Sequence, residues 1–322
     1  MLCMSSTALS QFLKTAFRFR DKAVSVPWRQ LRASQFMTAA VAAMAGFLLH
    51  APAQAQDLTR RIVVAGGDLT EIVFALDAED QLVGVDQTST WPPQAQDLPQ
   101  IGYVRRLSAE GILSLDPDLL IAAHDAGPDL ALQQLRRAGV LVVQAPDVDG
   151  ADGVMAKIAL VGEILNREDD AQVLAAQFQA DLAAVQAKVA TLTRKPRVLF
   201  ILSIAGNAPI VGGHDTAADD IIRLAGATNA AAAVSGYKPM GREAILASQP
   251  DALLLMSHHA DTFGGADAIL IRPEFALTPA GQAGHAVTMD GLLLLGFGPR
   301  TPQAVAQLVR ALQPRAAVEA GL

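Results

Sequence analysis

Gly102-Tyr103-Val104-Arg105-Arg106-Leu107-Ser108-Ala109-Glu110-Gly111-Ile112-Leu113-Ser114-Leu115-Asp116-Pro117-Asp118 runs into an apolar stretch that ends at His124. The arrangement returns in the second half: Gly236-Tyr237-Lys238-Pro239-Met240-Gly241-Arg242-Glu243-Ala244-Ile245-Leu246-Ala247-Ser248-Gln249-Pro250-Asp251, then an apolar stretch ending at His258. Counted from Glu110 and from Glu243, an Ile-Leu pair stands at +2 and +3 and a Pro-Asp pair at +7 and +8. The chain's two tyrosines are the two in these stretches. Such a repeat implies two copies of one structural unit. Two similar units that face each other leave a cleft between them, a favoured place for a ligand. In parallel sheets the loops at the carboxyl ends of the strands line that cleft. Each Gly-Tyr falls just before an expected helix, so both tyrosines are candidates to project into it. The alternative is that each packs only its own loop.

Outward from the repeat, short apolar runs alternate with helical patterns. Strands are expected at Arg61–Ala65, Leu82–Val85, Asp118–Ala123 and Val140–Gln144, with a helix around Pro128–Ala138. Asp68-Leu69-Thr70-Glu71 has the spacing of a capping box that opens a helix through Leu76. Alternating strands and helices imply a parallel sheet covered on both faces. From Ala151 to Thr193 the pattern is helical without a strand, with Val173, Leu174, Phe178, Leu182 and Val185 recurring at three and four. Lys195-Pro196 ends it, and alternation resumes with a strand at Arg197–Leu202, a helix at Thr216–Leu224, a strand at Leu253–Met256 and a helix at Thr301–Leu312. The expected fold is therefore α/β: two doubly wound lobes joined by a single long helix. The first lobe is expected over 56–150, the helical segment with its connecting helix over 151–195, and the second lobe over 196–322.

The first 55 residues differ in kind. Lys14, Arg18, Arg20, Lys22, Arg29 and Arg32 precede an apolar run from Phe36 to Leu49, which is followed by Ala51-Pro52-Ala53-Gln54-Ala55. Basic, apolar, then small is the layout of a secretory signal peptide, with cleavage expected near Ala55. The apolar run is short for a membrane span. Setting aside the 6 basic and 1 acidic residues of the leader leaves 19 Lys and Arg against 31 Asp and Glu, a net charge of −12. An acidic body is a poor partner for nucleic acid. Cys3, the one cysteine, lies in the leader, so no disulfide, thiolate metal site or lipidated cysteine is expected in the exported chain.

Enzyme signatures are missing: there is no G-x-S-x-G, no Walker loop and no H-E-x-x-H. Gly66-Gly67-Asp68 follows a strand but lacks the spacing of a dinucleotide loop. His258-His259 with Asp261 is only a partial metal set. The chain reads as a binding protein, not an enzyme.

The run Ile101-Gly102-Tyr103-Val104-Arg105-Arg106-Leu107-Ser108-Ala109-Glu110-Gly111-Ile112-Leu113-Ser114-Leu115 resembles the haem-binding periplasmic proteins of bacterial haemin ABC importers, on the helical-backbone (class III) binding-protein scaffold. Leu224-Ala225-Gly226-Ala227-Thr228-Asn229 and Met289-Asp290-Gly291 through Pro299-Arg300 extend the resemblance over most of 61–312. It implies two α/β lobes joined by one long helix, free in the periplasm as a monomer. It also implies capture of ferric haem between the lobes and delivery to permease and ATPase subunits, with an outer-membrane haem receptor upstream. Cobalamin and ferric-siderophore carriers share the scaffold and are the alternative.

The resemblance places the axial ligand of haem iron on Tyr103. Phenolate is a hard oxygen donor suited to Fe(III). A free phenol ionises near pH 10, so the iron and a neighbouring donor must help, and Arg105 is placed to give a hydrogen bond. Arg106 is expected to point elsewhere. Tyr237 and Lys238 are expected on the opposite wall, the lysine to pair with a propionate. His214, His258 and His259 are weaker candidates for a sixth ligand or pocket residue. Some relatives carry a histidine after a Leu-Ser at the end of the first strand of the second lobe. Here Ile204 stands there, in Leu202-Ser203-Ile204-Ala205-Gly206, and a single haem is expected. Glu110 and Glu243, one per lobe, are implied to dock on arginines of the permease. The alternative is that each only favours a helix N-terminus. The long connecting helix implies a stiff hinge and little closure.

Overall fold

A computed structural model describes residues 60–204 and 208–322. The expected leader over 1–55, the cleavage near Ala55, and Ala205 and Gly206 lie outside the described residues. In the first lobe β1 (Ile62–Ala65), α1 (Gly67–Ala75), β2 (Leu82–Val85), α2 (Ala109–Leu113), β3 (Leu119–Ala122), α3 (Asp129–Arg137) and β4 (Leu141–Gln144) follow one another. The four strands form one parallel sheet in the order β2-β1-β3-β4. Two helices follow, α4 (Gly150–Leu165) and α5 (Glu168–Val189). The second lobe contains β5 (Arg197–Ser203), β6 (Ile210–Gly212), α6 (Ala217–Leu224), β7 (Thr228–Asn229), β8 (Tyr237–Pro239), α7 (Arg242–Ser248), β9 (Ala252–Met256), α8 (Ser257–Thr262), α9 (Ala266–Leu270), α10 (Pro279–Ala283), β10 (Ala286–Met289), α11 (Gly291–Leu295), α12 (Thr301–Leu312) and α13 (Pro314–Glu319). Its sheet runs β10-β9-β5-β6-β8 with β7 beside β5. The expected α/β pair of lobes is present. The second adds an antiparallel flank, since β6 runs against β5 and β8 against β6.

The strands explain why both sheets sit inside. Successive side chains of a strand point to opposite faces, and here both faces are apolar. Ile62 and Val64 of β1 join one core while Val63 and Ala65 join another; Val198 and Phe200 of β5 divide in the same way from Leu199 and Ile201. The first of these cores is shared. It runs from β1 and α1 through Val154, Ile158 and Val161 of α4 and Phe178 of α5 to Ile221, Val305 and Leu308 of the second lobe. One continuous apolar interior thus couples the two lobes through the helices.

The helical stretch is broken at Asn166, which adopts φ 54° at the end of α4. α5 then starts on Glu168, Asp169 and Asp170, acidic residues that suit a helix N-terminus. Its 22 residues span about 33 Å. Phe178 is buried, but Val173 is an exposed residue on this helix and takes no part in the apolar stripe.

The Asp68–Glu71 capping box does not form. The N-cap of α1 is Gly66, two residues before Asp68, and no side chain caps it. Both carboxylates are held by tertiary partners instead: Lys157 Nζ lies 2.5 Å from Asp68 Oδ2, and Arg300 pairs with Glu71. Partners from distant elements displace the local bonds that the spacing alone favoured.

Candidate functional site

The carboxyl ends of both sheets converge on one cleft of about 830 Å³, within the usual range for a small-molecule site. From the first lobe come Gly66 and Gly67 after β1, Ala123 to Asp125 after β3, and Ala145 and Pro146 after β4. From the second come Leu202 at the end of β5, Met256 and His258 at β9, and Asp290 and Gly291 after β10. Gly67 is required by close approach: a Cβ there would stand 2.3 Å from the Thr88 carbonyl and 2.7 Å from Leu292 of the opposite lobe.

The loop that carries Tyr103 is fixed from both sides. Gly102 has φ +92°, which favours glycine. Its carbonyl accepts the Gln87 N–H at 2.9 Å. The Val104 carbonyl accepts the Gly127 N–H at 2.9 Å, and the Leu107 N–H donates to the Gly127 carbonyl at 2.7 Å. Val104 and Leu107 are buried. Tyr103, half-buried between them and the cleft, is therefore held in place by its backbone.

Its hydroxyl is engaged as well. Arg105 Nη1 donates to the Tyr103 oxygen at 2.7 Å, and Arg105 Nε donates to Asp125 Oδ2 at 2.6 Å. Burial disfavours the charge on Arg105, but Asp125 and Tyr103 outweigh it and hold the guanidinium pKa above its ordinary value. The result is a chain of three groups, carboxylate to guanidinium to phenol oxygen, on the cleft wall. Arg106 gives no hydrogen bond to that oxygen among the described residues and does not line the cleft. Its guanidinium lies 5.6 Å from the Tyr103 ring centroid, within cation–π range.

Tyr237 lines the facing wall, on β8 and not in a loop before a helix. Its ring meets Phe200 edge-on, with centroids 6.4 Å apart. Burial pushes its hydroxyl pKa up, and bonding to Ala218 and Thr216 and the charge of Arg105 offset part of the rise. Lys238, the next residue on the strand, is exposed and does not line the cleft. A one-residue step on a strand turns the side chain to the other face, so the expectation that Lys238 joins the pocket is not met. His214 is also outside the cleft lining. Its Nδ1 is 2.6 Å from Asp215 Oδ2.

His258 and His259 both line the cleft, with ring centroids 4.2 Å apart. Burial first, and then His258, push the His259 pKa down. Ile204, an apolar residue at the end of β5, is buried. Glu110 and Glu243 are exposed in the first turns of α2 and α7, away from the cleft lining.

Sequence reasoning did not find Asp125, which anchors Arg105, or Lys157, which lines the cleft between the lobes. Asp125 had a signal: it follows the His124 that ends the first copy of the repeat, as His259 follows His258. Lys157 had none, because its partner Asp68 is 89 residues away.

The family model described as "Periplasmic binding protein" matches residues 62–292, and the chain belongs to that family. Two solved structures are alike over 80% of this chain and 99% of theirs, each at 42% identity. One is the periplasmic heme-binding protein BhuT in complex with two hemes, at a TM-score of 0.76. The other is the periplasmic heme-binding protein RhuT from Roseiflexus sp. RS-1 in apo form, at 0.77. A cobalamin-binding protein of Halobacterium salinarum is 27% identical over 259 residues, 78% of this chain and 69% of its own.

Proposed function

We propose that this protein is a periplasmic carrier, exported by its leader, which captures ferric haem between its lobes and hands it to an ABC importer. The observation that carries the proposal is the Asp125–Arg105–Tyr103 chain on the cleft wall, with bonds of 2.6 and 2.7 Å. Tyr103 is the iron ligand. Arg105 favours the phenolate by donating to its oxygen, and Asp125 fixes the arginine, as outer partners commonly orient a metal ligand. Tyr237 forms the facing wall of the pocket. Two heme-binding structures at 42% identity support the choice of ligand. The cobalamin reading rests on the Halobacterium relative, and that ligand has no call on a phenolate flanked by arginine. The carrier performs no covalent step: it binds, docks and releases.

Visible absorption titration of the protein over 56–322 with ferric haem, run beside aquocobalamin, tests this. A tyrosinate-type charge-transfer spectrum that saturates with haem, and no response to cobalamin, is expected. The reverse result overturns the reading. One equivalent is expected because Ile204 offers no donor, and this chain would then differ from BhuT with its two hemes.

Glu110 and Glu243 serve docking to the permease subunits, one per lobe. The double replacement by alanine is expected to leave haem affinity unchanged. ATP hydrolysis by the reconstituted importer should fall about fivefold, the scale of a lost rim pair of about 1 kcal/mol. Loss of haem affinity in that variant would show that the glutamates serve the pocket or the fold instead.

A further inference from the structure

A second cavity, of about 390 Å³, is lined by both lobes. Glu71 and Phe74 of α1, Trp91 and Pro92 after β2, and Pro299 and Arg300 before α12 bound it. Two of these segments reach the main cleft as well. Gln87, Thr88 and Thr90 line the cleft, while Trp91 lines the second cavity. Gly296 and Phe297 line the cleft, while Pro299 and Arg300 line the second cavity. Each lobe thus gives one strip of chain whose front end meets the ligand space and whose rear end lies behind it.

The rear ends meet. The Arg300 guanidinium lies 4.5 Å from the centre of the Trp91 ring, within cation–π range, and pairs with Glu71. Its Nε is buried without a hydrogen-bond partner among the described residues. Gly298 lets this strip close on α1: a Cβ there would stand 3.1 Å from the Glu71 carboxylate. The front of the first-lobe strip is anchored inside its own lobe. Asp86 is fully buried. Its carboxylate accepts the Gly66 N–H at 2.9 Å, the Thr88 N–H at 3.0 Å and the hydroxyls of Thr88 and Ser89. A buried network with its bonds satisfied is rigid. Trp91, at the other end, is 43% exposed and rests against the arginine of the opposite lobe. One end of the wall over 87–90 is therefore fixed by the first lobe and the other by the second.

We infer that Arg300 is a positioning residue for the ligand cleft: through Trp91 it holds the wall over 87–90, so that the separation of the lobes sets the shape of that wall. The inference rests on the reading of the main cleft as the haem site. Thr90 faces the cleft and is bonded directly to Trp91 along the chain, so a shift of the indole moves it. When the lobes part on the importer, Arg300 draws away from Trp91 and the wall is left with its Asp86 anchor alone. The grip on the ligand then weakens from the first lobe's side without any change at Tyr103.

The test measures dissociation of ferric haem from the native protein, Trp91→Leu, Arg300→Lys and the double variant, with an apo-globin in excess as acceptor. Lysine keeps a cation for Glu71 but not the planar guanidinium that stacks on the indole. Leucine at 91 leaves the ion pair whole. Each single variant is expected to release haem about fivefold faster, the scale of one cation–π contact. The double variant should be no faster than either, because both changes remove the same contact. The ferric spectrum should stay native, and iron-free protoporphyrin should leave the variants with the same acceleration, since the wall and not the iron is affected. Arg300→Lys should unfold close to the native midpoint in denaturant, because Glu71 keeps its cation. Trp28 lies in the leader and Trp91 is the other tryptophan, so emission from the ligand-free protein over 56–322 reports this contact, and Arg300→Lys should shift it to the red. Unchanged release in both single variants, or additive acceleration in the double, overturns the inference and leaves the haem reading standing. If the native protein binds aquocobalamin and not haem, the haem reading fails, and release of that ligand from the same four proteins decides the coupling.

Discussion

Tyr103→Phe is expected to remove the tyrosinate charge-transfer band and to weaken ferric haem binding at least about 100-fold, or about 2.7 kcal/mol. Phenylalanine keeps the ring, its volume and its place beside Arg106, whose guanidinium lies 5.6 Å from the ring centroid. The backbone bonds that fix the loop at Gln87 and Gly127 are untouched. Only the oxygen is lost, and with it the hard donor for Fe(III). Arg105→Leu is expected to cost less, about tenfold, because the iron itself still favours the phenolate. Asp125→Asn should follow Arg105→Leu, since the carboxylate acts on the iron only through the guanidinium. Iron-free protoporphyrin should bind all of these variants as it binds the native protein. Equal loss of the iron-free ligand in Tyr103→Phe would show that the hydroxyl serves the shape of the pocket and not the metal. An unchanged ferric titration would remove Tyr103 from the site.

The parts of this fold that were legible in the sequence are those whose signal is local and long enough to repeat. β1, β3 and β9 are apolar on both faces and read as short unbroken runs. The helices at 129–137, 217–224 and 301–312 carry a full period of apolar positions. The pairing of the lobes showed through the Glu-to-Ile-Leu-to-Pro-Asp spacing. β6 and β8 were illegible because each is three residues long, too short to establish an alternation. β8 placed Tyr237 on the cleft and its neighbour Lys238 off it, a distinction that only strand geometry makes. The helices from 257 to 295 are five or six residues each, barely more than a turn. At the site, Tyr103 and Arg105 were legible because they lie two residues apart in one motif. Asp125 and Lys157 were not, because their partners are supplied by tertiary contact. The failed capping box at Asp68 has the same cause, as its carboxylate is held by a lysine on another helix.

That lysine carries the second large effect. Lys157 on α4 reaches Asp68 of the first lobe at 2.5 Å and the Phe297 carbonyl of the second at 2.8 Å. Both side chains are largely shielded, at 12% and 14% exposure. Glu71, one turn further along α1, pairs with Arg300, which stacks 4.5 Å over Trp91. Two ion pairs on one helix thus tie the first lobe to segment 296–300 of the second, the Asp68–Lys157 pair within the cleft lining itself. Lys157→Met keeps the length and most of the apolar stem but leaves the Asp68 carboxylate without its cation. Breaking one side of a shielded pair costs about 3–5 kcal/mol, to be read by chemical denaturation. Asp68→Leu combined with Lys157→Met should recover most of that loss, because the residual cost lies in the unpaired charge and not in the missing attraction. An additive double mutant would show that the two residues act independently. The same substitution bears on function. With the apolar core continuous through α4 and α5, the native lobes are expected to change little in radius of gyration on binding haem. Lys157→Met, with one tie cut, should release haem faster while its absorption spectrum stays that of the native complex. A native protein whose radius of gyration shifts strongly with haem would show that the ties yield in the ordinary cycle and do not set the width of the cleft.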